Sequence, residues 1–245
     1  MRRRRFSALR LAADDVTQLP WNAPIGPRRS LAFTRLALED VRRIRDARGG
    51  SVNDVVLAIL AGGLRRFLEA DGFETRGLEL TALVPVSLRS AAESARLGNR
   101  ISAMLVPLAV DPVDELSRLA ATRAATERLK SSGAWTGIDA LLELVDGLPA
   151  PLVALVGRRI RLGRLANVIA TNVPGPRETR WLCGARVAEL RPLVPICDGM
   201  GLGLAVFSYD GWLHVGLNAD AERVPNLEKL EHGIEEAFAA LVGGA

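Results

Sequence analysis

The chain has 245 residues, 49% of them apolar and 24% charged. That is enough to close a hydrophobic core without disulfides or metals, and too apolar for a disordered chain. The net charge of +4 and pI of 9.8 trace to Arg2, Arg3, Arg4, Arg5 and Arg10, without which 27 basic residues face 28 acidic ones; with 4% aromatics there is no platform for stacking nucleic-acid bases. No apolar run reaches the roughly 18 residues of a membrane helix. The skew to 30 Arg over 2 Lys reads as coding bias rather than phosphate recognition.

Residues 1–29 read as a loosely held basic and Pro-rich lead-in, with Pro20, Pro24 and Pro27 keeping it extended over a surface. A strand is predicted over about 30–38, then a short helix from Glu39 that stops at Gly49-Gly50. A helix over 52–70 begins at a Ser51/Asp54 capping box. It is apolar almost all round, so it should be buried, with Gly62 and Gly63 marking close packing. Segments 78–88 and 99–110 read as strands. Asp111-Pro112 predicts a helix start with proline at the first helical position, running to about Lys130. Helices near 136–147 and 150–162 precede a strand at 166–173 and another at about 180–191. Strands 202–209 and 212–218 flank Asp210-Gly211, a two-residue hairpin signal. A final helix begins near Pro225 with Leu227, Leu230, Ile234, Phe238 and Leu241 on one face. The fold class is α/β, layered helices on a mixed sheet in one domain.

The chemistry-bearing residues are few. Cys183 and Cys197 read as reduced, buried thiols, which suits a cytoplasmic chain, and neither they nor any other residues form a metal-ligand spacing. His214 reads as a sheet-face residue in phase with Trp212 and Gly216, and His232 as a solvated residue of the last helix. There is no nucleophile elbow or Walker loop, and the glycine-rich Gly199-Met200-Gly201-Leu202-Gly203 precedes a strand rather than opening a helix. Arg158, Arg159, Arg161 and Arg164 form an acid-free basic cluster. It is either a solvated helix end or a contact for an anionic ligand or lipid.

Four segments in order resemble the C-terminal half of the bacterial wax ester synthase/diacylglycerol acyltransferase family. They are GSVNDVVLAILAGGLRRFL (50–68), LVPVSLR (83–89) with GNRISAMLVPL (98–108), TNVPGP (171–176) and DGMGLGLAVFSYDGWLHVGLNAD (198–220). The likeness covers about residues 20–242. It implies one lobe of the two-lobed fold typified by chloramphenicol acetyltransferase. Residues 1–29 would be the interlobe connector and 30–245 the C-terminal-type domain. It also implies acyl-CoA as co-substrate, with no bound cofactor, and diacylglycerol or a long-chain alcohol as acceptor. Peripheral contact with a membrane or lipid-droplet surface fits such substrates.

The departure from the family is equally plain. Its His-His-x-x-x-Asp-Gly motif supplies a general base suited to working pH, and this sequence has no adjacent His pair. No catalytic residue is therefore expected in this chain, and it should be inactive alone. By resemblance Asn53 and Asp54 support the active site, although helix capping explains Asp54 as well. Asn172, Pro174, Gly175 and Pro176 at a strand end, and Asp198, Gly199 and Gly201 before the hairpin, are the substrate-binding candidates, against a reading of both as structural turns. Three readings follow. The favoured one is half of a split acyltransferase whose first lobe comes from another chain or from upstream coding. The second is a stand-alone module that binds acyl chains, acyl-CoA or the enzyme, self-association included. The third, least favoured, is a nucleic-acid or membrane-surface adaptor acting through the Arg-rich tail.

Overall fold

The computed structural model describes residues 16–87, 101–132 and 162–244. Strand β1 (Arg29–Ala37) runs straight into helix α1 (Leu38–Arg48). No side chain caps α1, but Glu39 and Asp40 offset the positive helix start, and Gly49, at φ 74°, ends it. Helix α2 (Val52–Ala70) opens on the expected capping box: Asp54 N–H reaches Ser51, and the Asp54 carboxylate takes the Ser51 N–H at 2.7 Å. Every residue from Asp54 to Leu64 is buried, as an all-round apolar helix must be.

Strands β2 (Leu80–Ser87), β3 (Ile101–Leu108), β4 (Val168–Val173), β7 (Leu202–Tyr209) and β8 (Trp212–Asp220) join β1 in a six-stranded sheet. Strands β5 (Trp181–Leu182) and β6 (Ala185–Arg186) form a separate two-residue hairpin. The sheet order is β1-β8-β7-β4-β2-β3. Strands β7, β4 and β2 are parallel, and antiparallel pairs close both edges. The β7–β8 turn holds Asp210 and Gly211 both at positive φ, the geometry that the Asp-Gly pair predicts.

Alternate residues of each strand face the helices. Leu202, Leu204 and Val206 of β7 and Leu213, Val215, Leu217 and Ala219 of β8 join the core cluster with α1, α2, helix α3 (Glu115–Ser132) and helix α4 (Leu227–Gly243). The α2–α4 contact is close because of its glycines. A Cβ on Gly62 would lie 2.8 Å from that of Ala237, and one on Gly63 would overlap Ile234. Beside this contact Arg118 is fully buried, held by Glu115 and by the Ala109 and Pro112 carbonyls, while Arg66 reaches the same carboxylate at 2.5 Å. An ion cluster so buried stands only because every partner is present.

The opposite sheet face carries a smaller cluster, Ala166, Ile169, Val194, Met200 and Ala205. Residues 187–196 lie across this face as a strap. A Cβ on Gly216 would overlap the Pro192 carbonyl, and one on Gly203 would lie 2.6 Å from Val194.

Four expectations need correction. The lead-in is pinned from Leu19 onward: Trp21 is 1% exposed and donates its indole N–H to Asn167 at 3.0 Å, and Asn22 bonds Gly199. Helix α3 starts at Glu115, with Asp114 accepting from Ser117 N–H, because residues 109–112 are held outside the helix. There Arg65 takes the Val110 and Asp111 carbonyls, Gly77 the Asp111 carboxylate, and Arg118 the carbonyls of Ala109 and Pro112. The strand expected at 180–191 is only the β5–β6 hairpin, turned at Cys183 and Gly184 by positive φ, after which the chain becomes the strap. Cys183 is consequently exposed rather than buried. The helices expected at 136–147 and 150–162 lie outside the described residues, except that Leu162 opens a 3-10 turn to Arg164.

Candidate active-site cleft

Because β4 and β7 are parallel, their carboxyl ends emerge at one edge of the sheet, where open α/β folds bind ligands. The start of α2 meets that edge. Asn172, next to last in β4, lies on the helix-facing side opposite Val206. Its Nδ2 donates to Oδ1 of Asn53, in the first turn of α2, at 3.3 Å. Two segments 119 residues apart in sequence are thus joined side chain to side chain. The Asn172 carbonyl oxygen and the Asn53 NH2 group have no protein partner among the described residues, so the pair still offers both an acceptor and donors.

A cleft of about 320 Å³ opens beside this pair, lined by Arg42 and Arg45 of α1, Val52, Asn172, Pro174 and Ser208. The Pro-Gly-Pro turn is fixed to the end of β7: Gly175 N–H donates to Ser208 Oγ at 3.0 Å, and a Cβ on Gly175 would overlap the Ser208 carbonyl. Pro174 is exposed at the rim and Pro176 half-buried behind it. Arg45 pairs with Asp46 at 2.7 Å, and Arg42 is exposed. The lining side chains among the described residues include no His, Cys, Asp or Glu. The cleft can orient neutral polar groups and attract an anion, and its described lining holds no general base.

Asp54 lies below this surface. Its carboxylate accepts from Ser51 N–H, Ser51 Oγ and Thr126 Oγ1, tying the start of α2 to α3. The remaining candidates fall elsewhere. Asp198, Gly199 and Gly201 precede β7, at the opposite end of a strand roughly 25 Å long at about 3.3 Å per residue. Their polar groups hold the lead-in: Asp198 accepts from Ile25, Gly199 bonds Asn22 and Ala23, and Gly201 donates to Trp21. In this structure these three anchor residues 21–25, away from the cleft. Arg164 sits at that same far end, where its carbonyl accepts from Val16; Arg158, Arg159 and Arg161 lie outside the described residues. His214 is on the other sheet face, and His232 is exposed beside Glu235 and Glu236. Among the described residues no three His, Cys, Asp or Glu side chains are grouped to hold a metal ion.

Sequence reasoning missed Arg42, Arg45 and Ser208. The signal for the arginines was present: with Val41 and Ile44 facing the core, the phase of α1 puts Arg42 and Arg45 on its flanks. Ser208 becomes visible only through strand register.

Comparison with known proteins agrees with this architecture. The solved wax ester synthase/diacylglycerol acyltransferase from Marinobacter aquaeolei superposes with a TM-score of 0.73 at 24% identity, over 98% of this chain and 56% of that one. The starter condensation domain of rhizomide synthetase, solved with C8-CoA and Leu-SNAC, superposes with a TM-score of 0.59 at 18% identity, over 97% of this chain and 51% of that one. The fold is therefore a lobe of the CoA-dependent acyltransferase type. The WS/DGAT C-terminal domain matches residues 97–242, and the wax ester synthase/diacylglycerol acyltransferase catalytic domain matches residues 2–56. The chain belongs to the wax ester synthase/diacylglycerol acyltransferase family. A probable diacylglycerol O-acyltransferase of Mycobacterium tuberculosis is 35% identical over 223 residues, which is 90% of this chain and 48% of the relative. The chain thus spans about half the length of that relative. The catalytic-domain match ends inside α2, so the two matched regions share one sheet-and-helix unit.

Proposed function

We propose that this chain serves as the C-terminal lobe of an acyl-CoA-dependent O-acyltransferase that esterifies diacylglycerol or a long-chain alcohol, giving triacylglycerol or wax ester. The observation that carries this reading is the Asn172–Asn53 hydrogen bond at the mouth of the cleft, which joins two of the segments the family shares. In the proposed reaction a base on the companion lobe takes the acceptor's hydroxyl proton. The alkoxide oxygen bonds to the thioester carbonyl carbon, the carbon–sulfur bond breaks, and the proton passes to the departing CoA thiolate. The amide pair orients the reacting polar groups, and Arg42 and Arg45 favour the anionic co-substrate at the rim. Residues 1–29 act as the interlobe connector and residues 30–245 as the lobe. No described helix is long and apolar enough to cross a membrane; contact with a lipid surface at its periphery suits the lipid substrates.

The test combines this chain with the catalytic-domain half of the Mycobacterium tuberculosis relative. It follows labelled acyl transfer from acyl-CoA to a diacylglycerol and to a long-chain alcohol. The chain alone should show no turnover, and the combination should. Asn172→Ala or Asn53→Ala should reduce that turnover at least tenfold, about 1.4 kcal/mol in the barrier, with the lobe still folded. Turnover by the chain alone, or turnover indifferent to both substitutions, would sink the reading.

A further inference from the structure

The second sheet face holds a crevice of about 220 Å³ that the cleft does not reach. Phe33 and Arg35 of β1 lie opposite Gly216 and His214 of β8, so all four share this face. Glu189 and Arg191 of the strap form the crevice's other wall. The strap stays low because Gly216 leaves room for the Pro192 carbonyl.

His214 is the unusual member. It is 3% exposed, its ring bonds the backbone of Tyr209, and its buried Nε2 has no partner among the described residues. Burial pushes the imidazole below its ordinary pKa, and Arg35 and Arg191 push the same way; the Tyr209 bond and Glu189 oppose them. The shift favours the neutral ring, and the bond to the Tyr209 backbone assigns the proton to the nitrogen on that side. Nε2 is then a bare acceptor, and an unpaired buried acceptor costs about 1–3 kcal/mol. The nearby cations are placed for a ligand. Arg35 stacks on Trp212 at 4.4 Å and Arg191 on Phe33 at 5.1 Å; Arg191 gives its Nε–Nη2 edge to Glu189, with Nη2 at 2.6 Å, and keeps Nη1 for a ligand.

Two cations beside a lone-pair acceptor select among anions. An anion with no proton sets its own lone pairs against Nε2. A phosphate monoester, with a second pKa near 6, can bring a proton to share. We propose that this crevice binds a phosphate monoester, with Arg35 and Arg191 holding the charge and Nε2 of His214 hydrogen-bonding a protonated phosphate oxygen. Nε2 is buried in the free protein, so binding requires neighbouring side chains to move; the Arg191 side chain at the crevice wall is half-exposed and free to shift. The same group is presented by a soluble nucleotide or by a lipid head group.

The experiment titrates the chain with inorganic phosphate, with sulfate as the control. Calorimetry and the ring nitrogen resonances of labelled histidine are the readouts. Phosphate should bind at least tenfold more tightly than sulfate and move the His214 nitrogens but not those of His232. His214→Phe should weaken phosphate binding at least tenfold and abolish the preference over sulfate. Arg191→Gln, a change on an exposed side chain, should weaken both anions and covers the case in which the first variant does not fold. Competition by adenosine 3′-phosphate assigns a soluble source, and competition by phosphatidic acid vesicles over phosphatidylcholine ones assigns a lipid source. Equal affinity for phosphate and sulfate, no saturable binding, affinity indifferent to Arg191→Gln or, in a folded variant, to His214→Phe, or displacement by neither competitor would overturn the proposal. None of these outcomes depends on acyl transfer.

Discussion

Replacing Asp54 with alanine separates two residues that stand side by side in sequence and do different work. Asp54→Ala removes the reciprocal half of the capping box, the 2.7 Å bond from Ser51 N–H, worth about 1 kcal/mol. It also removes a charged acceptor for Thr126, worth about 1.5–3 kcal/mol, although Thr126 keeps its bond to the Arg123 carbonyl at 3.0 Å. Relief from burying a carboxylate offsets part of this, leaving a net loss of about 2–3 kcal/mol. With a urea m-value of about 2 kcal/mol per molar, the unfolding midpoint should fall by about 1–1.5 M. Asn53→Ala loses one 3.3 Å bond between half-buried amides, about 0.5 kcal/mol, and should move the midpoint by about 0.3 M or less. Tryptophan fluorescence reports the transition. Equal shifts for the two variants, or a negligible shift for Asp54→Ala, would refute the division into a buried strut and a cleft residue.

Gly63→Ala gains up to about 1 kcal/mol of helix propensity, but its methyl meets Ile234, including backbone atoms at 3.0 Å. Overpacking costs about 1–3 kcal/mol, so thermal unfolding should come several degrees earlier, whereas Gly243→Ala, with nothing within 4 Å, should be neutral or slightly stabilising. His214 contributes stability that is complete above its unfolded pKa of about 6.5 and is lost as pH falls through the lower folded value. Urea midpoints should therefore drop as the pH falls below about 6.5, a slope that His214→Phe should flatten.

Much of the fold could be read in the residues. The capping box, the all-apolar α2, the Asp-Gly hairpin and the phase of α4 are local patterns, and each is found where local physics put it. Two of the failures share a cause, which is long-range contact. Trp21 looks like part of a solvated lead-in until its partner at Asn167, 146 residues away, is known. Pro112 looks like a helix start until side chains from elsewhere take the surrounding carbonyls. The 180–191 stretch has strand-like composition, but positive φ at Cys183 and Gly184 turns it back on itself. The cleft was half legible. Asn53 and Asn172 were singled out separately, and only the packing of the start of α2 against the carboxyl end of β4 brings them together. Asp198, Gly199 and Gly201 shared a motif with the hairpin, yet they belong to the sheet's other end.

The strap over Gly203 and Gly216 also sets how thick the molecule is. Stacked layers usually stand roughly 10 Å apart because two sets of side chains interleave between them. At Gly216 there is no such layer, and the Pro192 carbonyl occupies the space a side chain would take. Main chain lies almost directly on main chain, so this part of the lobe is a thin plate with little soft packing to deform. A body resting on the strap would sit unusually close to the backbone of β7 and β8. A single methyl added at position 216 would act as a spacer, lifting the strap and, with it, every contact made through that face.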